Sequence, residues 1–170
     1  MEKEGPLQMR TLIILVSYHN MNTRRIAEVF ARVLDAQLKA PTEISPEETE
    51  GYGLLGFGSG IYDAKHHDAL LDLAGRLPRS FGKRAFIFST FGVPGSLVDD
   101  ARLEKLIGQN HARLRESLQS KGYVIVGEFS CPGHNTNSFL KLFGGINKGR
   151  PDAGDIGRAE TFARRMKRES

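Results

Sequence analysis

Short, uniformly apolar runs at near-regular separation constrain this chain more than any other feature. They occupy residues 12–16, 52–57, 85–88 and 123–129, with a weaker run at 36–40. Strands so evenly apolar suit a parallel sheet covered on both faces, because a half-exposed sheet would alternate. Between the runs, apolar residues recur at helical spacing. Ile26, Val29/Phe30 and Val33/Leu34 form one stripe, and Leu70/Leu71, Ala74 and Leu77 a shorter one. Leu103, Leu106/Ile107, Leu114 and Leu118 make a long stripe that Lys121-Gly122 should end. Ile156, Ala159, Phe162/Ala163 and Met166 form the last, introduced by Pro151-Asp152 with Asp152 as N-cap. Segment 45–50 has room for about one helical turn. Strands alternating with helices predict an α/β protein with right-handed crossovers. Five strands in 170 residues fit a doubly wound parallel sheet of order 2-1-3-4-5 better than an eight-stranded barrel.

The expected organisation is one domain over residues 11–168 after a disordered N-terminal segment, 1–10, which has no signal-peptide core. No apolar stretch approaches the ~20 residues of a membrane span. The single cysteine, Cys131, excludes an internal disulfide and a self-contained iron–sulfur cluster. The expected address is the cytoplasm. Net charge is +4, with Arg158, Arg164, Arg165, Lys167 and Arg168 crowded near the C-terminus and acidic residues at 43–50. No DNA-binding motif or basic–aromatic interleaving accompanies the charge, so nucleic acid is not an expected partner. A solvated helix face explains it, and an acidic protein partner is compatible with it. Residues 131–150 are rich in Gly, Asn and Pro and read as a long functional loop. The patch Phe139-Leu140-Lys141-Leu142-Phe143 inside it suggests docking onto something apolar.

In open α/β sheets ligands sit beyond the carboxyl ends of the strands, where strand order reverses. That rule selects three loops. The first is Ser17-Tyr18-His19-Asn20-Met21-Asn22-Thr23, a polar turn without acidic residues between a strand and a helix start. Helix N-termini carry unpaired N–H groups and partial positive charge, so they favour a phosphate. Ser17, Asn20, Asn22 and Thr23 can add donors, although Asn22 or Thr23 can also simply cap the helix. The second loop is Gly56-Phe57-Gly58-Ser59-Gly60-Ile61-Tyr62, and the third is Ser89-Thr90-Phe91-Gly92-Val93-Pro94-Gly95. Gly58 and Gly60 allow close backbone approach or positive φ. Tyr62 and Phe91 can flank a planar ring; each alone can equally be ordinary packing. A mononucleotide with a large aromatic head matches this set, and FMN is the obvious candidate. The glycines break G-x-G-x-x-G at its last position, and no G-K-[ST] occurs, so dinucleotide and P-loop sites are not expected.

These three segments, with Cys131-Pro132-Gly133, resemble the flavodoxin family from about residue 11 to 166. The likeness is closest to a branch whose loops read S-x-H-x-x-N-T, G-S-G-I-Y and C-P-G. The resemblance implies noncovalent FMN and electron transfer between redox partner proteins. It implies that Ser17, His19, Asn20, Asn22 and Thr23 wrap the phosphate. Ser59, Gly60, Ile61 and Tyr62 would border the flavin ring on one side, and Thr90, Phe91 and Gly92 on the other. A carbonyl near Ser59 or Gly60 would hydrogen-bond the ring at N5. The chain departs from the family in placing His19 where many members have Thr. It is also basic where electron carriers are acidic, which points to acidic partners; it would act as a monomer or homodimer.

Other constellations are weaker. Cys131-Pro132-Gly133-His134 offers two metal ligands with no second pair nearby, so no metal is expected, and the thiol reads as buried and idle. His66 or His67 can reach the flavin edge, and His111 falls in mid-helix with no expected chemistry. The alternative function is an FMN-dependent oxidoreductase acting on a quinone, NAD(P)H or a protoporphyrinogen-like substrate, with the 131–150 loop as lid. A response-regulator-like domain would need an acidic pocket that the residues around Ser17 do not supply.

Overall fold

Five strands pair side by side in the order β2-β1-β3-β4-β5, every pair parallel, in a computed structural model of the chain. The structure describes residues 10–136, 142 and 144–169, apart from the side chain of His19. The expected N-terminal segment up to residue 9, and the apolar patch at 139–143 except Leu142, lie outside the described residues. The strands are β1 Thr11–Val16, β2 Ala36–Lys39, β3 Leu54–Gly60, β4 Arg84–Phe91 and β5 Val124–Pro132. Helices α1 Asn22–Leu34, α2 Asp68–Arg76, α3 Asp100–Asn110, α4 Ala112–Ser120 and α5 Ala153–Arg168 connect and cover them. This is the doubly wound α/β sheet that the apolar runs imply.

Both sheet faces are buried, which is why the central strands read as apolar throughout. On one face α1 and α5 close over Ile13, Leu15, Leu54, Phe86, Phe88 and Phe129. On the other, α2 and α4 cover Leu12, Ile14, Leu55, Phe57, Ala85 and Ile87. Strand alternation assigns these sets, since neighbouring residues point to opposite faces.

Several boundaries differ from expectation, each for a physical reason. Strands β3 and β4 run on through Gly60 and Phe91, so parts of the second and third loops are strand ends. Polar Ser59, Ser89 and Thr90 interrupt the apolar run without interrupting the ladder. The stripe from Leu103 to Leu118 is two helices, broken at His111. Helix α4 does end at Lys121-Gly122. Gly122 adopts φ +85°, and a Cβ there would meet the Ser80 carbonyl oxygen at 1.9 Å. Asp152 caps α5 in a reciprocal pair with Asp155. Gly58 has no positive φ; a Cβ there would lie 2.2 Å from the Phe88 ring, so its small size serves core packing.

Candidate functional site

The carboxyl ends of β1, β3 and β4 converge on one narrow cleft of about 70 Å³ that opens to solvent. Ser17, Asn22 and Thr23 line it from the first loop and the start of α1. Gly60, Ile61 and Tyr62 line it from the end of β3, and Thr90, Phe91 and Gly92 from the end of β4. None of its described lining residues is acidic. Tyr18, Gly133, His134 and Asn135 complete the wall.

Local sequence dictates how each side is held. Asn20 and Met21 both have positive φ, at 54° and 53°. Two successive non-glycine residues there mark a loop held under strain, as at many ligand sites. Met21 occupies the N-cap of α1 but offers no capping side chain, so the helix is not capped by Asn22 or Thr23. Ser17 instead accepts from the Arg24 amide through its hydroxyl oxygen, at 3.1 Å. Neither α1 nor the 3-10 turn before it has an acidic residue in its first turn, leaving the helix N-terminus favourable to an anion. The buried Thr23 and Thr90 hydroxyls are 2.9 Å apart and join the first wall to the third.

Three expected site residues have other partners. Asn20 donates its amide to the His134 carbonyl at 3.0 Å and to the Thr136 hydroxyl at 3.2 Å, and does not line the cleft. Asn22 lines the cleft but donates to the same His134 carbonyl, at 2.8 Å. Ser59 is wholly buried, because alternation along β3 sends its side chain with Leu55 and Phe57 toward α2. The His19 side chain lies outside the described residues. Asn20 and Asn22 therefore anchor the segment after β5 to the first loop. Asn147 anchors that segment to the third loop, donating to the Val93 carbonyl at 2.8 Å while its oxygen accepts from the Gly95 amide. The fourth wall of Gly133, His134 and Asn135 was not among the expected site residues, because a turn-rich stretch does not itself indicate where it folds back.

Beneath the cleft lies a buried polar layer. Register sets Ser59, Ser89 and Ser130 side by side across β3, β4 and β5. Ser59 and His66 Nδ1 are 2.9 Å apart, and Ser89 is 2.8 Å from both His111 Nε2 and the Ser130 hydroxyl. His111 Nδ1 faces Glu128 at 3.3 Å, and Arg115 forks onto both Glu128 oxygens. Burial opposes ionisation of Glu128, yet hydrogen bonds from Arg115 and His111 prevail and draw its pKa down to about 2. Burial, with His111 beside it, pushes His66 well below the ordinary histidine value; burial also lowers His111. His66 is thus interior and does not line the cleft, and His111 is a buried junction residue. His67 caps α2, accepting the Ala69 amide at Nδ1. Cys131 is buried, its thiol pKa raised by burial, and no cluster of metal-ligating residues occurs among the described residues.

Known structures share this architecture. Oxidised Flavodoxin 2 from Bacillus cereus superposes with a TM-score of 0.68 at 16% identity, covering 95% of this chain and 99% of that one. A flavodoxin from the domain Archaea gives 0.63 at 14% identity, covering 95% and 98%. The fold is therefore flavodoxin-like. By sequence, the chain belongs to the family of "Uncharacterized protein MJ0298" of Methanocaldococcus jannaschii. The two are 41% identical over 156 residues, 92% of this chain and 97% of that protein. No family model matches the chain.

Proposed function

We propose that the cleft binds FMN noncovalently and that the protein passes electrons between redox partner proteins. The observation that carries this reading is the meeting of ten residues, from three strand ends and the segments that follow them, in one non-acidic cleft at a helix N-terminus. The donor set suits the cofactor. The phosphate would sit at the start of α1, among its first-turn N–H groups and the Ser17 and Thr23 hydroxyls. The ring would lie between the Tyr62 and Phe91 walls. Gly60 and Gly92 let the walls close on each other: a Cβ on Gly60 would meet the Tyr62 ring at 3.2 Å, and one on Gly92 would meet Asn135 at 2.5 Å.

Bound flavin supplies the electron chemistry, and the chain's residues orient and tune it. Asn20, Asn22 and Asn147 hold the fourth wall against the phosphate and ring walls, narrowing access for water. The basic surface suits an acidic partner, since complementary potential speeds encounter more than it tightens the complex. No helix among the described residues is long and apolar enough to cross a membrane.

Calorimetric titration tests this reading. FMN should bind the wild-type protein more tightly than riboflavin, and Thr23→Ala should narrow that gap by about tenfold, the effect of one charge-assisted hydrogen bond. Equal losses for both ligands would place the phosphate elsewhere.

One observation favours a second reading, an FMN-dependent oxidoreductase. A neighbouring cleft of about 260 Å³ shares Ser17 and Tyr18 with the first, and Arg24, Lys39 and Pro41 also line it. It offers space for a second small molecule. Multiple turnovers with NAD(P)H and a quinone would support the enzyme; their absence, with reversible one-electron steps in potentiometry, would support the carrier.

A further inference from the structure

The serine–histidine layer ends at the peptide bond that forms one wall of the cleft. Gly60 and Ile61 line the cleft, and both polar groups of the peptide between them are occupied. The Ile61 N–H donates to the Thr90 carbonyl at 3.0 Å, and the Gly60 carbonyl accepts from the Ser59 hydroxyl at 2.8 Å. Ser59 also accepts the His67 amide at 3.0 Å and stands 2.9 Å from His66 Nδ1.

Counting protons decides the arrangement. A serine hydroxyl has one proton and a neutral imidazole has one N–H. With the His66 proton on Nδ1, that N–H donates to Ser59 and frees the serine proton for the Gly60 carbonyl. All three bonds at Ser59 are then made, and only the Nε2 lone pair lacks a partner among the described residues. With the proton on Nε2, a buried N–H is left without one, Ser59 must donate to Nδ1, and the Gly60 carbonyl loses its side-chain donor. The first state makes one more hydrogen bond and leaves no buried donor unmet, which favours it. His111 is fixed independently. Ionised Glu128 accepts from the Nδ1–H, so Nε2 accepts from Ser89, and Ser89 from Ser130.

We propose that His66, acting through Ser59, is a positioning residue for the cleft, its Nδ1–H tautomer keeping the Gly60 carbonyl turned onto Ser59. A ligand in the cleft whose N–H donor turns this carbonyl away from Ser59 forfeits the Ser59 bond; a ligand without such a donor leaves it in place. The pair therefore acts as a discriminator between hydrogen-bond donors and non-donors. It rests on the FMN reading for its ligand, because reduction turns a flavin ring nitrogen from acceptor into donor. Removing the Ser59 hydroxyl should then favour the reduced cofactor.

Two measurements test this, and the first needs no cofactor. Long-range proton–nitrogen NMR of the apoprotein should show His66 protonated at Nδ1. Ser59→Ala should move the Gly60 carbonyl carbon upfield, Ser59→Thr should restore it, and His66→Gln should move it less. A wild-type His66 protonated at Nε2, or a Gly60 carbon indifferent to Ser59→Ala, overturns the inference. The second measurement is potentiometry of the FMN-loaded protein. Ser59→Ala should favour the reduced form about fivefold, the effect of roughly one hydrogen bond. At ~59 mV per tenfold for one electron, that raises the potential by about 40 mV, and Ser59→Thr should stay near wild type. An unchanged or lowered potential in Ser59→Ala overturns it. If wild-type protein binds no FMN, the proposed function fails, and the apoprotein measurement still decides the role of His66.

Discussion

The two faces of the sheet solve the same burial problem differently. Under α1 and α5 five phenylalanines centre the core. Phe30 meets the rings of Phe86, Phe88 and Phe129 edge-on at 5.1–5.7 Å, and Gly56 and Gly58 make room for Phe86 and Phe88. Under α2 and α4 the core is mainly aliphatic, with Phe57, Tyr52 and Tyr123 among it, until its last rung, where three serines and two histidines are buried beside a part-buried glutamate. Edge-to-face ring contacts add to area burial without any polar debt. A buried polar layer is stable only when its members are paired, and it then fixes one arrangement. The aromatic face should therefore carry stability, and the polar face the orientation of the strand ends that form the cleft.

The sharpest break in that contrast comes from Phe30→Ala. It should cost about 3–5 kcal/mol in chemical denaturation while leaving the pH dependence of stability intact. Next, Glu128→Gln should cost about 1.5–3 kcal/mol at neutral pH, as charged hydrogen bonds do, and should change the acid response. The folded-state pKa of Glu128 lies below its unfolded value, at about 2. Its contribution is present above about pH 4.5 and drains away as pH falls toward 2. The variant should lack that loss. Gly58→Ala, which drives a Cβ into the Phe88 ring, should destabilise by about 1–3 kcal/mol through overpacking; a neutral result would mean that the aromatic face can yield.

The histidines give the smallest and most gradual effect. Both are held neutral by burial, so the unfolded chain takes up protons that the folded chain refuses below its ordinary histidine pKa. Stability should fall as pH drops through ~6.5, by at most ~1.4 kcal/mol per pH unit for each histidine. His66→Leu should flatten this slope between pH 7 and 5, measured by denaturant midpoints. An unchanged slope would remove His66 from the account.

Much of this was legible in the residues. Leu12 through Val16 and Ala85 through Phe88 suit covered strands, and β-α alternation then led to the sheet order. What stayed hidden followed from polar residues inside regular elements. Ser59 reads as a loop residue next to Gly58 and Gly60. Only once β3 is extended to Gly60 does alternation from Leu55 and Phe57 turn it inward. His111 continues a helical stripe without a phase shift, so its apolar neighbours do not reveal the break. Asn20 and Asn22 read as phosphate donors, and their spacing cannot show that the His134 carbonyl, more than a hundred residues away, takes their amides. Long-range polar pairing leaves no periodic trace.

The most direct measurement is a map of backbone amide shifts as FMN is added to isotopically labelled protein. The account predicts the largest changes at residues 17–23, 60–62, 90–92 and 133–135, all saturating together at one equivalent. Shifts centred instead on the basic groove of Arg32, Arg164, Lys167 and Arg168, or no shifts at all, would contradict it.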